Sequence, residues 1–376
     1  MNCSSALNIF RRSTRLSQRN FFTHPQYKHL MEPFSATYPH LKKLLVENVE
    51  GEGPKRVIGE MLDYIMDSGR FLRAAITLKV HEVMKLPHPE PEPKTMHTAH
   101  AMAWISELVQ IPAIIEDDIA DNSSLRRGKA PYHVGRSLVH CLVVSRWLTA
   151  SPHLLLNDWM GEYPFFKSAS KVLTECSLIS SNLQLIESAV HESELINLLR
   201  SKNIPWEYYK HYSTYNSYYC TVLPFRLAAY AARRSELPFN DEIHDILKDI
   251  AQLLKLYNDG VALAIGGAAP PGKDLDEDIK EKKFTFTLTY LMNTATDEDK
   301  DFIVNNYGDV ETTRKLMEKY KIAEGFEQYR NDLSKSINTK IERVSNEHKL
   351  QDGLIAVHDT VNQFLSRKVS KIKVDF

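Results

Sequence analysis

Glu107 to His133 reads ELVQIPAIIEDDIADNSSLRRGKAPYH, an apolar helical run that ends in an acid cluster and is followed by an arginine pair. Asp117 and Asp121 stand four residues apart, so both carboxylates project from one face of a helix end. Carboxylates held this close repel each other unless a cation sits between them. Magnesium suits them, because it takes hard oxygen ligands, keeps several waters and is usually shared with substrate phosphates. Asp118 lies about 100° round the helix and supports the cluster from behind. The alternative for the acids alone is a solvated helix terminus. Arg126-Arg127-Gly128 follows past the polar break Asn122-Ser123-Ser124, and a chain turning back there presents two guanidiniums to the anion that the metals hold. Acid pair and arginine pair together describe a diphosphate site.

Upstream, Ser68-Gly69-Arg70-Phe71-Leu72-Arg73 places two more arginines at a helix start, beside a glycine that allows an anion to approach closely. Such clusters stand out in a chain with no field of its own. Lys+Arg 47 against Asp+Glu 48 leaves a net charge of -1 over 376 residues, which argues against a nucleic-acid binder and makes any anion site local. Cys3, Cys141, Cys176 and Cys220 show no disulfide framework and no zinc-ligand spacing. No stretch is long and apolar enough to span a bilayer.

From about residue 54 onward apolar residues recur three and four apart in long segments. Breaks fall at Leu86 to Pro93, Asn122 to Tyr132, Asn203 to Pro205 and Gly266 to Gly272, each rich in Pro, Gly or Asn. Long helices with apolar faces and no strand candidates predict an all-α bundle in a single large domain, residues 32–376. Residues 1–31 hold Arg11, Arg12, Arg15 and Arg19 and no acid. That composition resembles a mitochondrial transit peptide, with a basic tail carrying no address, and so a cytoplasmic protein, as the alternative.

The ordered set GRFLR, ELVQ, DDIADNSSLRRG, YNSYYCTVLP, LYNDGVA and GKDLDEDIKEKK resembles the trans-isoprenyl diphosphate synthases, and the farnesyl diphosphate synthase type most closely. The resemblance covers about residues 40 to 350. It implies an isoprenoid synthase-type helical bundle, a prenyl diphosphate substrate, two to three magnesium ions and a homodimer. Asp117 and Asp121 would hold metals and Arg126 the allylic diphosphate. Arg70, Arg73, Gln110 and Arg127 would hold the second substrate, isopentenyl diphosphate. Lys273, and Asp278 with Lys283, would close the diphosphate site.

Departures from the family pattern lie in the second half. Tyr215 and Asn216 stand where the family has lysine then threonine. The second acid motif is Asn258-Asp259-Gly260-Val261-Ala262, in which Asn258 and Asp259 are the candidate ligands of a third metal ion and Ala262 cannot ligate. Arg70 replaces a lysine, and Pro112 and Ala113 replace the aromatics that floor the pocket in farnesyl synthases. The bland alternative at the floor is that neighbouring side chains refill the space. A chain that keeps the ionising half and alters the condensing half resembles the terpene synthases that insects evolved from farnesyl diphosphate synthase. The resulting expectation is a magnesium-dependent terpene synthase turning farnesyl diphosphate into a sesquiterpene, with Tyr215, Tyr218, Tyr219 and Tyr257 as candidate cation-facing rings. A prenyltransferase and a non-catalytic partner subunit are the alternatives.

Overall fold

A computed structural model describes residues 25–67, 69–87, 97–186, 191–262 and 276–370. Among the described residues every regular element is helical, and a lone bridge between Arg126 and Lys129 is the nearest approach to a strand. The all-α class expected from the periodicity is what forms. The chain divides into two compact units, split after Phe71.

The first unit contains α1 (Lys28–Ala36), α2 (Tyr38–Glu47) and α3 (Glu52–Met66). Phe34, Leu41, Leu45, Met61 and Leu62 are buried in it. Asp63 ties α3 to α2 by accepting from Tyr38 OH at 2.9 Å and Lys42 Nζ at 2.6 Å. Residue 31, the edge of the expected N-terminal segment, falls inside α1, where Met31 is buried. Residues 1–24 lie outside the described residues.

The second unit, Leu72–Phe376, is the larger, and the expected domain of residues 32–376 spans both units. The larger unit begins with α4 (Leu72–Met84), α5 (Thr98–Leu108) and α6 (Gln110–Ala120). Then come α7 (Leu138–Met160), α8 (Phe166–Leu185), α9 (His191–Arg200), α10 (Trp206–Arg233) and α11 (Asp241–Ala262). It closes with α12 (Glu277–Lys280), α13 (Phe286–Thr294), α14 (Asp297–Asn306), α15 (Val310–Lys319), α16 (Ile322–Arg343) and α17 (Leu350–Ser370). The 28-residue α10 is the axis, packing against α4, α5, α8 and α11. From Tyr212 to Ala232 it is buried on nearly every side, while its first turns expose Glu207, Lys210 and His211. α11 instead carries one apolar stripe, Ile243, Ile246, Leu247, Ile250 and Leu254.

Candidate active site

The end of α6 builds the acid pair. Asp118 is buried, Asp117 and Asp121 are half-buried, and Asp121 caps the helix with its N–H on the Asp117 carbonyl at 2.9 Å. The chain then reverses. Asn122 has φ 48°, and Arg127 and Gly128 follow at φ 55° and 81°. Two successive positive φ values make the tight turn that pairs Arg126 with Lys129, whose backbone N–H and C=O groups bond reciprocally at 2.8 and 3.1 Å. That turn delivers Arg126 to the acids: its Nη2 lies 2.7 Å from Asp117 Oδ2, and its Nε donates to Asp118 Oδ1 at 2.5 Å.

From the far end of the domain, Lys283 Nζ donates to Asp121 Oδ2 at 2.6 Å. Burial raises the Asp121 carboxyl above its ordinary range and Asp117 raises it further, against the pull of Lys283 and Arg126. Asp118 is likewise raised by burial, against Arg126. Burial alone would lower Lys283, but Asp117 and Asp121 reverse this and keep it charged. Two cations from distant segments thus converge on three carboxylates. No three carboxylate, imidazole or thiol groups among the described residues converge to hold a metal by themselves. Asp117 and Asp121 fit a hard ion that draws its remaining ligands from water and phosphate.

A second cationic cluster lies beside the first. Arg73, in the first turn of α4, is buried and donates from Nη2 to Cys220 Sγ at 2.9 Å. Its Nη1 is 3.5 Å from Glu107 Oε2, its guanidinium carbon is 5.0 Å from the Tyr219 ring centroid, and its Nε has no partner. Glu107 does a second job by accepting the Ala74 N–H at 2.8 Å, which caps α4. Tyr219 hydrogen-bonds Gln110 and feels Asp117, while Cys220 feels both Arg73 and Arg127. Burial pushes the Tyr219 hydroxyl up. Arg73, Gln110, Arg127 and Tyr219 are therefore gathered next to the acid pair.

The α11 side differs from a metal site. Asp259 is fully buried and both its oxygens are engaged: Oδ1 by Lys255 Nζ at 2.7 Å, and Oδ2 by Tyr209 OH and the Phe286 N–H, each at 2.9 Å. Burial pushes its carboxyl up while Lys255 and the Phe286 N–H pull it down. Three donors on two oxygens speak for the ionised pair. Asp259 is engaged at both oxygens and its side chain is 0% exposed, whereas Asp117 and Asp121 are engaged at Oδ2 alone and are 33% and 18% exposed, so a magnesium ion fits the α6 acids and not Asp259. Asn258 is exposed.

Arg70 is an exposed residue of the first unit, before α4 begins. The space beside Gly69 is taken by the Phe71 ring, which a Cβ at Gly69 would meet at 2.5 Å, so that glycine serves packing and not an anion. Pro112 is buried and Ala113 half-buried on α6. Tyr215 and Asn216 are half-buried on α10, with the Tyr215 ring edge-on to His211 at 4.3 Å. Tyr218 packs edge-on to His244, and Tyr257 OH receives Arg330 Nη1 from α16 at 3.3 Å, so neither ring belongs to the acid cluster. Lys273 lies outside the described residues, as do the side chains of Val261 and Ala262. A cleft of about 520 Å³ lined by Trp206, Tyr290, Glu324, Gln328, Tyr329 and Asp332 holds none of the expected site residues.

Sequence reasoning missed Glu107, Tyr209 and Lys255. Lys255 had a local signal, since it precedes Asp259 by four residues on one helix. The partners of Arg73 and Asp259 from other helices had none.

Known proteins resemble this chain in sequence and fold. The sequence profile described as polyprenyl synthetase matches residues 55–323, well over half the chain. The chain belongs to the polyprenyl synthetase family. It is similar to the farnesyl pyrophosphate synthase of Gallus gallus, 22% identical over 84% of this chain and 87% of the relative. It is also similar to that of Candida albicans, 22% identical over 72% and 76%, and to a bifunctional chrysanthemol synthase of Tanacetum cinerariifolium, 23% identical over 82% and 79%. A T. brucei farnesyl diphosphate synthase complexed with a bisphosphonate superposes with a TM-score of 0.75 at 18% identity, covering 89% of this chain and 98% of that one. These matches support the isoprenoid synthase fold and a prenyl diphosphate enzyme. They favour the prenyltransferase alternative over the terpene synthase that the sequence departures suggested.

Proposed function

We propose that this chain is a magnesium-dependent prenyltransferase of the farnesyl diphosphate synthase type, joining an allylic diphosphate to isopentenyl diphosphate. The observation that carries the reading is the pairing of two anion-seeking clusters: Asp117, Asp121, Arg126 and Lys283 in one, Arg73, Gln110 and Arg127 in the other. Magnesium, when bound, neutralises the diphosphate and makes it a competent leaving group. Asp117 and Asp121 would hold it. Arg126 and Lys283 bring positive charge to the same oxygens, where it counts most as the carbon–oxygen bond breaks. Arg73, Arg127 and Gln110 bind and orient the second diphosphate, and holding the attacking carbon close to the allylic centre supplies the positional part of the rate. Tyr219 stands between the two clusters with its ring toward Arg73.

A second reading is favoured by α11. With Asp259 taken by Lys255 and no lysine at position 215, the condensing half lacks groups that the family pattern supplies there. Such a site would ionise farnesyl diphosphate and let the cation cyclise or lose a proton, as a sesquiterpene synthase. One assay separates the readings: magnesium with farnesyl or geranyl diphosphate, with and without isopentenyl diphosphate, followed by chromatography of a solvent overlay and of the aqueous phase. A longer prenyl diphosphate supports prenyl transfer. A volatile product from the allylic substrate alone refutes it in favour of the lyase, and silence with every substrate refutes both in favour of a partner subunit.

The expected homodimer has a candidate face in Leu138, Val139, Leu142 and Val143 of α7, each about half exposed or more and aligned along one side. Val139→Glu with Val143→Glu should convert a dimer to a monomer in light scattering. A mitochondrial address in residues 1–31 belongs to the same proposal, and a reporter fused to that segment that stays diffuse would refute it.

A further inference from the structure

The α11 side of the site is built around an ammonium group. Lys255 and Asp259 sit one turn apart with side chains 10% and 0% exposed, and Nζ meets Oδ1 at 2.7 Å. The other oxygen holds Tyr209 of α10 and the first N–H of α13, so the carboxylate joins three helices. Above it, the Lys255 ammonium lies 5.7 Å from the centroid of Tyr212. The Tyr212 ring stands edge-on to Phe284 at 5.2 Å, and Phe284 follows Lys283, the residue bonded to Asp121. Tyr307 OH holds the Lys283 carbonyl at 2.7 Å, so the segment is fixed on both sides. Lys255 is thus in the wall that carries Lys283 to the acid pair. On the same helix Asn258 offers at most a neutral amide oxygen and Ala262 offers no ligand.

We propose that Lys255, locked on Asp259, is a resident cation that replaces a metal ion on the α11 side, so that the chain binds its diphosphate with the α6 metals only. The idea rests on the magnesium reading of Asp117 and Asp121. It assigns Asp259 a positioning role, anchoring the start of α13 and with it Lys283, and gives Lys255 the task of holding Asp259 there. The argument is one of occupancy. A carboxylate whose two oxygens already accept three hydrogen bonds, one from an ammonium, has three of its roughly four acceptor positions filled, and the ammonium beside the remaining one repels a divalent ion. The same site would tolerate loss of carboxylates at positions 258 and 262, because a charge that needs no ligands has taken their place.

The test counts metal and needs no turnover. Full-length protein is titrated with Mn²⁺ in the presence of inorganic pyrophosphate, and free Mn²⁺ is read by electron paramagnetic resonance. Two ions per chain are expected, and three would overturn the proposal while leaving the enzyme reading intact. None would sink the α6 metal site and the enzyme reading with it. Ala262→Asp restores a carboxylate but leaves Lys255 in place, so its count should stay at two; a rise to three would show that the ammonium blocks nothing. Lys255→Gln combined with Ala262→Asp should bind a third ion, and a folded double variant that stays at two would also overturn the idea. Should the double variant fail to fold, the wild-type and Ala262→Asp counts decide alone.

Discussion

Replacing Glu107 by Gln isolates a charge without changing a shape. The amide keeps an oxygen for the Ala74 N–H, so the α4 cap survives, whereas Glu107→Ala would lose it at a further cost of about 1 kcal/mol. What Gln removes is the negative partner of Arg73, and both side chains are under a tenth exposed, at 7% and 8%. Breaking a buried pair by deleting one partner costs about 3–5 kcal/mol, and the 3.5 Å separation places this one near the lower end, about 3 kcal/mol. An exposed pair would cost about 0.2–1 kcal/mol. Arg73→Met should cost a similar amount by stranding Glu107, but the double variant Arg73→Met with Glu107→Gln buries no net charge and should recover most of either loss. Urea unfolding of the four proteins, followed by circular dichroism, gives the coupling. Single variants that lose under about 1 kcal/mol, or a double variant whose loss is the sum of the singles, would refute a desolvated ion pair. The same set reports on function. Arg73→Met should raise KM for isopentenyl diphosphate and leave ionisation of the allylic substrate alone unchanged, since only the second cluster is touched.

Asp121→Ala should lower turnover at least about a hundredfold by removing a metal oxygen and the Lys283 contact, with an unchanged circular dichroism spectrum; near-normal turnover would remove Asp121 from the site. Ala113→Phe, at a half-buried position of α6 next to Pro112, should shorten the products or, for a lyase, shift them toward acyclic species, and an unchanged product spectrum would place the floor elsewhere. His153, His244 and His358 are all held below the ordinary imidazole value of 6.5 by burial. The unfolded chain therefore takes up protons as pH falls through that value while the folded chain does not, so thermal stability should drop between neutral pH and pH of about 5. His358→Gln should flatten that slope, as measured by melting temperature against pH, because Asn362 then bonds a group that does not titrate.

The parts of the site that the sequence revealed are those written within a few turns of chain. Asp117, Asp121, Arg126 and Arg127 fall in one stretch, where helix spacing puts the acids on one face and a polar break turns the arginines back; the structure makes that turn at Arg127-Gly128. Long range defeated the reading. Arg73 meets Glu107 and Cys220, and Asp259 meets Tyr209 and Phe286, through contacts between helices that no local pattern encodes. The tyrosines show the limit from another side. α10 is buried almost all round, so its period names no single face, and Tyr218 points to His244 while Tyr219, its neighbour, points to Arg73. Gly69 misled because a glycine needed for close approach says nothing about what approaches, and here it is the Phe71 ring.

The two halves of the site therefore answer different questions. On the proposed reading the α6 half removes diphosphate from an allylic carbon, with Asp117, Asp121, Arg126 and Arg127 in an order that resembles the family motif. That half is common to prenyl transfer and to terpene formation, so it cannot choose between them. The choice depends on what meets the cation. A second diphosphate held by Arg73, Gln110 and Arg127 would bring an alkene to it, whereas an uncondensed cation would be left to the walls of α10 and α11. Lys255 bears on that balance from a fixed position. A lysine locked on Asp259 would hold its charge at one place throughout the reaction. A counter-charge fixed to the protein goes on attracting pyrophosphate after the carbon–oxygen bond breaks, so the choice between products falls to the packing of α10 around the remaining chain.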